Sequence, residues 1–253
     1  MLSIVIVGTG NVANHLFNAF TKSREVKVAQ VVGRNQDALK SFGSTSAISS
    51  DFTQIADADI YLVAVSDSAI APVSKLLAKK SGIVAHTSGT VEMDVIGLEN
   101  CGVFYPLQTF TKGKMLDFTA IPICIEAKHE SALSVLRRLG NLISDNIHEI
   151  DSNKRKRLHL AAVFANNFTN HLYSISEKIC EQEDLPFELL QPLILETAEK
   201  VQSISPRDAQ TGPARRNNKK TLERHLNLLK DEKQTELYAL FSEAIKKMYE
   251  EEL

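Results

Sequence analysis

The chain has 253 residues, 43% of them hydrophobic, and a formal net charge of −2. That is enough apolar material for one large or two modest domains, and the near-neutral balance argues against a nucleic-acid surface as the main function. No apolar run reaches the roughly 20 residues that span a bilayer, and the chain opens on a strand pattern instead of a basic leader, so a cytoplasmic protein with no membrane partner is expected.

The first element is the β-branched run Ser3-Ile4-Val5-Ile6-Val7, which reads as a buried parallel strand. It leads directly into Gly8-Thr9-Gly10-Asn11-Val12-Ala13. In a dinucleotide fingerprint Gly8 makes the tight turn, Gly10 admits the diphosphate to the backbone, and Ala13 lets the helix pack closely on the strand. Thr9, Asn11 and Val12 complete a helix N-terminus whose free amides attract an anion. An ordinary strand-to-helix turn has the same pattern, but two neighbours favour the nucleotide reading. A helix is expected from 11 to about 22 with Leu16, Phe17 and Phe20 on its apolar face, and a second strand, 26–32, follows at the spacing of one βαβ unit.

That strand ends Val31-Val32-Gly33-Arg34-Asn35. A site for NAD places Asp or Glu here for the ribose 2′-hydroxyl, whereas the Arg34 guanidinium suits a 2′-phosphate and points to NADP(H). A solvated loop arginine is the alternative. Further strands are expected at 60–65, 83–86, 103–105, 121–125 and 146–150, with helices at 67–80 and 130–143. The alternation predicts a doubly wound parallel sheet.

Ligands on such a sheet lie beyond the carboxyl ends of its strands. Ser66, His86-Thr87-Ser88-Gly89 and Tyr105-Pro106-Leu107-Gln108 therefore form one candidate neighbourhood. Ser66 could contact the cofactor, cap the following helix, or do both. The 86–89 turn could bond substrate or nicotinamide, with Ser88 orienting the substrate, or satisfy its own backbone. Tyr105 could equally be core. Cys101, Cys124 and Cys180 are odd in number and lack metal-ligand spacing, so buried reduced thiols and no metal are expected.

Ten of the eleven glycines lie in residues 1–150 and only Gly212 lies beyond, so the turn-rich half gives way near Asp151 to long helices. The expected organisation is a nucleotide-binding domain at 1–151 and an all-α domain at 152–253. Lys154-Arg155-Lys156-Arg157 is short, lies close to Glu149 and Asp151, and reads as a solvated helix face. From 158 to 173 the helix is mostly apolar, yet His159, Asn166 and Asn170 fall within a few tens of degrees of one another at about 100° per residue. Such a stripe needs partners. They are either a substrate, with His159 donating a proton and Asn166 orienting the reacting group, or a neighbouring helix or dimer partner. Helices are expected at 185–201, 221–229 and 233–249, interrupted by Thr211-Gly212-Pro213-Ala214-Arg215-Arg216, whose Arg215 could hold an anionic group or sit in a plain surface loop.

The glycine loop, His86-Thr87-Ser88-Gly89, Tyr105-Pro106-Leu107-Gln108-Thr109-Phe110, His159-Leu160-Ala161-Ala162-Val163-Phe164-Ala165-Asn166-Asn167 and Thr211-Gly212-Pro213-Ala214-Arg215-Arg216 together resemble bacterial proteins with an N-terminal Rossmann-like domain and a C-terminal DUF2520 domain. The resemblance runs over nearly the whole chain. It implies an NADP oxidoreductase similar to coenzyme F420-dependent NADP reductases, and more distantly to pyrroline-5-carboxylate reductase and the 6-phosphogluconate dehydrogenase group. It also implies a homodimer formed through the C-terminal helices. The chain departs from the family in having Tyr105 where histidine is frequent and Arg216-Asn217-Asn218 where Arg-Gly-Asp is common. The expected activity is hydride transfer to or from a small carbonyl or imine compound. The competing expectation is a dimeric protein that senses NADP(H) without turnover.

Overall fold

The computed structural model describes residues 1–250. By their internal contacts these fall into two compact units, one of residues 1–167 and one beginning at Phe168. The first is built on an eight-stranded sheet: β1 (Leu2–Val7), β2 (Val26–Val32), β3 (Ala47–Ser49), β4 (Ile60–Val63), β5 (Ile83–His86), β6 (Cys101–Pro106), β7 (Ile123–Ala127) and β8 (Ile147–Glu149), in the order β3-β2-β1-β4-β5-β6-β7-β8. The order reverses between β1 and β4, where sheets of this class bind ligands.

Every residue of β4, β5 and β6 is buried, and so is all of β1 except half-buried Ser3. Continuous apolar runs suit strands covered on both faces. On one face Ile4, Ile6, Ile60 and Leu62 pack with Ala13, Leu16 and Phe20 of α1 (Asn11–Phe20) and with Leu136 and Leu139 of the helix Glu130–Asn141. On the other, Val5, Val7, Tyr61 and Val63 pack with Ile70 and Leu77, on and just beyond the helix Ile70–Leu76. Ala13 is wholly buried, as the fingerprint requires.

The sheet is parallel, as expected, at every strand pair but one: β7 runs antiparallel to β6. The irregular segment 107–122 carries no helix, and without a crossover the chain returns beside β6 in the opposite sense. The helix Glu130–Asn141 then supplies the crossover that makes β8 parallel to β7.

The unit from Phe168 onward is helical: Thr169–Gln182, Gln191–Ser203, the single turn Pro206–Ala209, Lys219–Leu228 and Glu232–Met248. No helix among the described residues is long and apolar enough to cross a membrane. Cys101, Cys124 and Cys180 are free and buried.

Candidate functional site

Gly8 follows β1 with φ +132°, and a Cβ on it would stand 2.0 Å from the Ala64 carbonyl oxygen. Only glycine fits there. Gly10 is the N-cap of α1 without a side-chain cap, and nothing lies within 4 Å of where its Cβ would be. The first-turn amides of α1 thus border open space, the arrangement that binds anions. That space is a cavity of about 1040 Å³. Gly8, Thr9, Gly10, Asn11, Val12, Arg34 and Ser66 all line it, so the structure brings every residue of the sequence-derived nucleotide set to one place.

The individual side chains differ in what they have to offer. Arg34 is exposed and Asn35 is committed, its side chain accepting from the Ala38 amide. Ser66 occupies the N-cap position of the turn Asp67–Ala69, yet its hydroxyl caps no amide and is left for another partner. The Asn11 side chain donates to the Phe110 carbonyl at 2.9 Å, and His15 Nε2 lies 3.0 Å from the Thr111 carbonyl, which ties segment 107–122 to α1. Phe52, Val65, Pro72, Val73 and Leu76 form an apolar wall that the sequence reading did not single out. Two glycines where a Cβ would obstruct or fill the cradle, an uncapped helix N-terminus and a guanidinium beyond them suit a dinucleotide.

A second cluster adjoins through the turn after β5, since Thr87 lines the cavity. His86 is fully buried; its Nδ1 accepts from the Ser88 amide at 3.1 Å and its Nε2 lies 3.3 Å from the Glu92 carbonyl. Burial, with the Arg155 charge adding to it, pushes the ring down to about 4, so His86 is neutral near pH 7. The Ser88 oxygen accepts from the Thr90 and Val91 amides at 3.1 and 3.2 Å, which realises the alternative of a turn satisfying its own backbone. Thr90 in turn donates to Asp67 at 2.7 Å.

Tyr105 and His159 meet above this turn, with Oη and Nδ1 3.0 Å apart. A Cβ on Gly89 would lie 2.5 Å from His159 Nδ1 and 2.8 Å from Tyr105 Cζ, so glycine there is what allows the pair to close on the turn. Burial drives the Tyr105 phenol up to about 12, which keeps it protonated across the neutral range. Gly89, Tyr105 and His159, far apart in the chain, thereby occupy one corner, with Ser88 next to Gly89 in the turn.

Asn166 is not brought into that corner by any hydrogen bond seen here. The expected continuous helix is instead an α-helix Ser152–Ala162, a π-helical segment Val163–Phe168 and the helix Thr169–Gln182. The π segment has a wider turn, so the 100° spacing that aligned His159 with Asn166 and Asn170 does not hold across it. Both asparagines are exposed. Arg155 is a further correction: in place of a solvated face, it is wholly buried and ion-paired to Glu126. Its only sequence signal was its place one helical turn before His159. Among the described residues no group of three or more His, Cys, Asp or Glu is placed to hold a metal ion.

Residues 121–245 match a domain of unknown function, DUF2520. Among solved structures, a Bacteroides fragilis protein provisionally named an NADP oxidoreductase is 35% identical, with 97% of this chain and 98% of that one covered and a TM-score of 0.90. Two distant likenesses share the fold. A Streptococcus pyogenes 1-pyrroline-5-carboxylate reductase is 14% identical, covering 99% and 97%, with a TM-score of 0.67. A Myxococcus stipitatus imine reductase solved with NADP+ is also 14% identical, covering 98% and 93%, with a TM-score of 0.63. No curated protein sequence matches.

Proposed function

The chain belongs to the family of Rossmann-like proteins that carry a DUF2520 domain, and from that premise we propose that it is an NADP(H)-dependent oxidoreductase acting on a small carbonyl or imine compound. The observation that carries the reading is the cavity beside the glycine loop, lined at once by Gly8, Gly10, the start of α1, Arg34 and Ser66. The provisional name of the Bacteroides fragilis protein points the same way.

A nicotinamide dinucleotide, when bound, supplies or accepts the hydride. The loop amides from Thr9 to Val12 would hold the diphosphate, Arg34 would pair with the 2′-phosphate and Ser66 would contact the cofactor. In the reducing direction the oxygen or nitrogen of the substrate would need one proton, which His159 would donate. The donor form is the doubly protonated ring: its Nδ1–H donates to Tyr105 Oη, 3.0 Å away, which orients it, and the Nε2 proton is the one delivered, leaving a neutral ring. Ser88 Oγ also lies 3.3 Å from Thr90 Oγ1, whose own proton goes to Asp67, so Ser88 would orient the substrate by turning its hydroxyl away from Thr90, and Asn166 is assigned to the reacting group. The domains are taken as a nucleotide domain at 1–151 and a helical domain at 152–253 that forms a homodimer. Three free cysteines fit a reducing compartment such as the cytoplasm.

A second reading, a dimeric NADP(H) sensor without turnover, draws on the Ser88 oxygen being held within its turn and on the exposure of Asn166. The first test is titration of NADPH and NADH into the purified chain and its Arg34→Ala variant, followed by nicotinamide fluorescence. The reading expects NADPH to bind more tightly than NADH and Arg34→Ala to weaken NADPH about tenfold, the scale of one charge-assisted contact. Absence of binding by either nucleotide at millimolar concentration would overturn it. Oxidation of bound NADPH by any member of a carbonyl and imine panel separates enzyme from sensor.

A further inference from the structure

We propose that Arg155 is a positioning residue for the Tyr105–His159 pair, clamping the turn after β5 to the helix that carries His159. The proposal rests on the reading of His159 as the proton-handling group, and goes beyond it by naming what holds that group in register.

Three consecutive residues of the segment after the turn are fastened to the first turns of the helix Ser152–Ala162. The Val91 carbonyl accepts from Arg155 Nη2. The Glu92 carboxylate pairs with Lys156, which holds its carboxyl below the usual range. The Met93 amide donates to Ser152 Oγ at 3.1 Å. From the other side Arg155 Nη1 pairs with Glu126 on β7, while Ser152 Oγ donates to Glu126 Oε2 at 2.8 Å and accepts from Arg155 Nη2 at 3.0 Å. One guanidinium thus links the post-β5 segment, the sheet and the helix.

Arg155 and His159 are four residues apart on one helix and share a face. Val91 is itself bonded to Ser88, and Gly89 lies between the two with only the room its missing Cβ leaves beside His159 and Tyr105. A shift of the helix along the segment therefore closes that gap or opens the Tyr105–His159 bond. Stability alone does not explain the network. A wholly buried guanidinium carries a large desolvation penalty, and here its Nε has no partner. Replacing buried ion pairs by packed apolar groups is often neutral or stabilising, and the best-attested use of such pairs is to fix register.

The test uses the full chain as Arg155→Met together with Glu126→Met, which removes both charges and keeps the volume, beside Arg155→Lys, which keeps the charge without the fork. Histidine-ring nitrogen spectra report the hydrogen bond at His159 Nδ1 without substrate or nucleotide. The double variant should melt within about 5 °C of the parent. Its His159 Nδ1 resonance should lose the hydrogen-bonded position. Arg155→Lys should recover part of the signal. If turnover is found, the double variant should lower kcat more than it raises KM. Unchanged His159 spectra in a folded double variant would overturn the proposal, and so would failure of that variant to fold, which would make the network a requirement of the fold. NADPH titration of the same samples keeps the two ideas apart. Loss of nucleotide binding in the parent sinks the cofactor reading, while the ring spectra still judge this one.

Discussion

The two units bury their apolar residues in opposite ways. The sheet unit closes a core of its own on both faces of β1, β4 and β5. Among the described residues from Phe168 onward the buried apolar side chains are Cys180, Ala214 and Tyr249, while Leu172, Leu189, Leu193, Leu195, Leu228, Leu240 and Phe241 are exposed. Uncovered apolar surface on that scale marks an interaction face. The contrast explains why the glycine loop and the Tyr105–His159 corner can be exact in geometry, since both stand on the sheet unit. It also predicts that substitutions there act through the chain's own fold, whereas substitutions on the helical faces act through association.

The largest expected effect is Gly8→Ala. The new methyl meets the Ala64 carbonyl at a backbone angle that side chains avoid, and strain plus overpacking should cost about 2–5 kcal/mol. Denaturant titration of the sheet unit checks it. A change under about 0.5 kcal/mol would mean that the β1-to-α1 turn relaxes freely, against the rigid-core side of the contrast.

Acid should sharpen the same division. In the fold His86 stays neutral down to about pH 4, chiefly because it is buried, whereas in the unfolded chain it takes up a proton near 6.5. Between those values the unfolded state binds more protons, so stability rises with pH there and falls as pH drops from about 6.5 to 4, by about 3 kcal/mol. Hydrogen exchange should show protection lost first around β4 to β6, and His86→Gln should flatten the slope. An equal slope in that variant would assign the acid sensitivity elsewhere.

Much of the sheet unit is legible in the sequence because its signals are local. A β-branched run that ends on Gly8 and an apolar face at Leu16, Phe17 and Phe20 predict β1 and α1 within a residue or two. What was missed depends on partners. The edge strand Ala47–Ser49 is three residues of middling character. The direction of β7 is set by the irregular 107–122 connection, and periodicity carries no direction. Arg155 looks solvated in its charge run until Glu126, from another element, is placed beside it. That Gly8 to Val12, Arg34 and Ser66 line one cavity was legible because loop, strand end and next strand end are fixed by topology. Gly89 was legible only as a turn glycine, since its tight contact with His159 joins residues 70 apart.

Gly89→Ala is the next effect in size and tests whether the corner is as rigid as the core beneath it. The methyl would press on His159 Nδ1 and Tyr105 Cζ, costing about 1–3 kcal/mol and driving the rings apart. Proton-dependent turnover should fall at least tenfold while NADPH affinity stays within about twofold, because the glycine loop is untouched. Equal loss of both would show that corner and cavity are one cooperative structure.

The smallest effect on the fold itself, and the sharpest on the other side of the contrast, is expected from Leu189→Glu with Leu193→Glu. These side chains are 68% and 63% exposed, Leu189 in the short 3₁₀ turn Phe187–Leu190 and Leu193 in the helix Gln191–Ser203 that follows it, so charging them removes little internal packing and should change the stability of an isolated chain by about 0.5 kcal/mol or less. In a homodimer formed through these faces the same carboxylates would have to be buried without partners, and each costs several kcal/mol or leaves the interface open. Sedimentation velocity should therefore find a parent dimer and a variant monomer at the same micromolar concentration, both with native circular dichroism. A parent that is already monomeric would remove the homodimer and leave the apolar faces to a different partner. A variant that stays dimeric would move the interface to the exposed Leu240 and Phe241 on the last helix, where the same pair of charges becomes the decisive substitution.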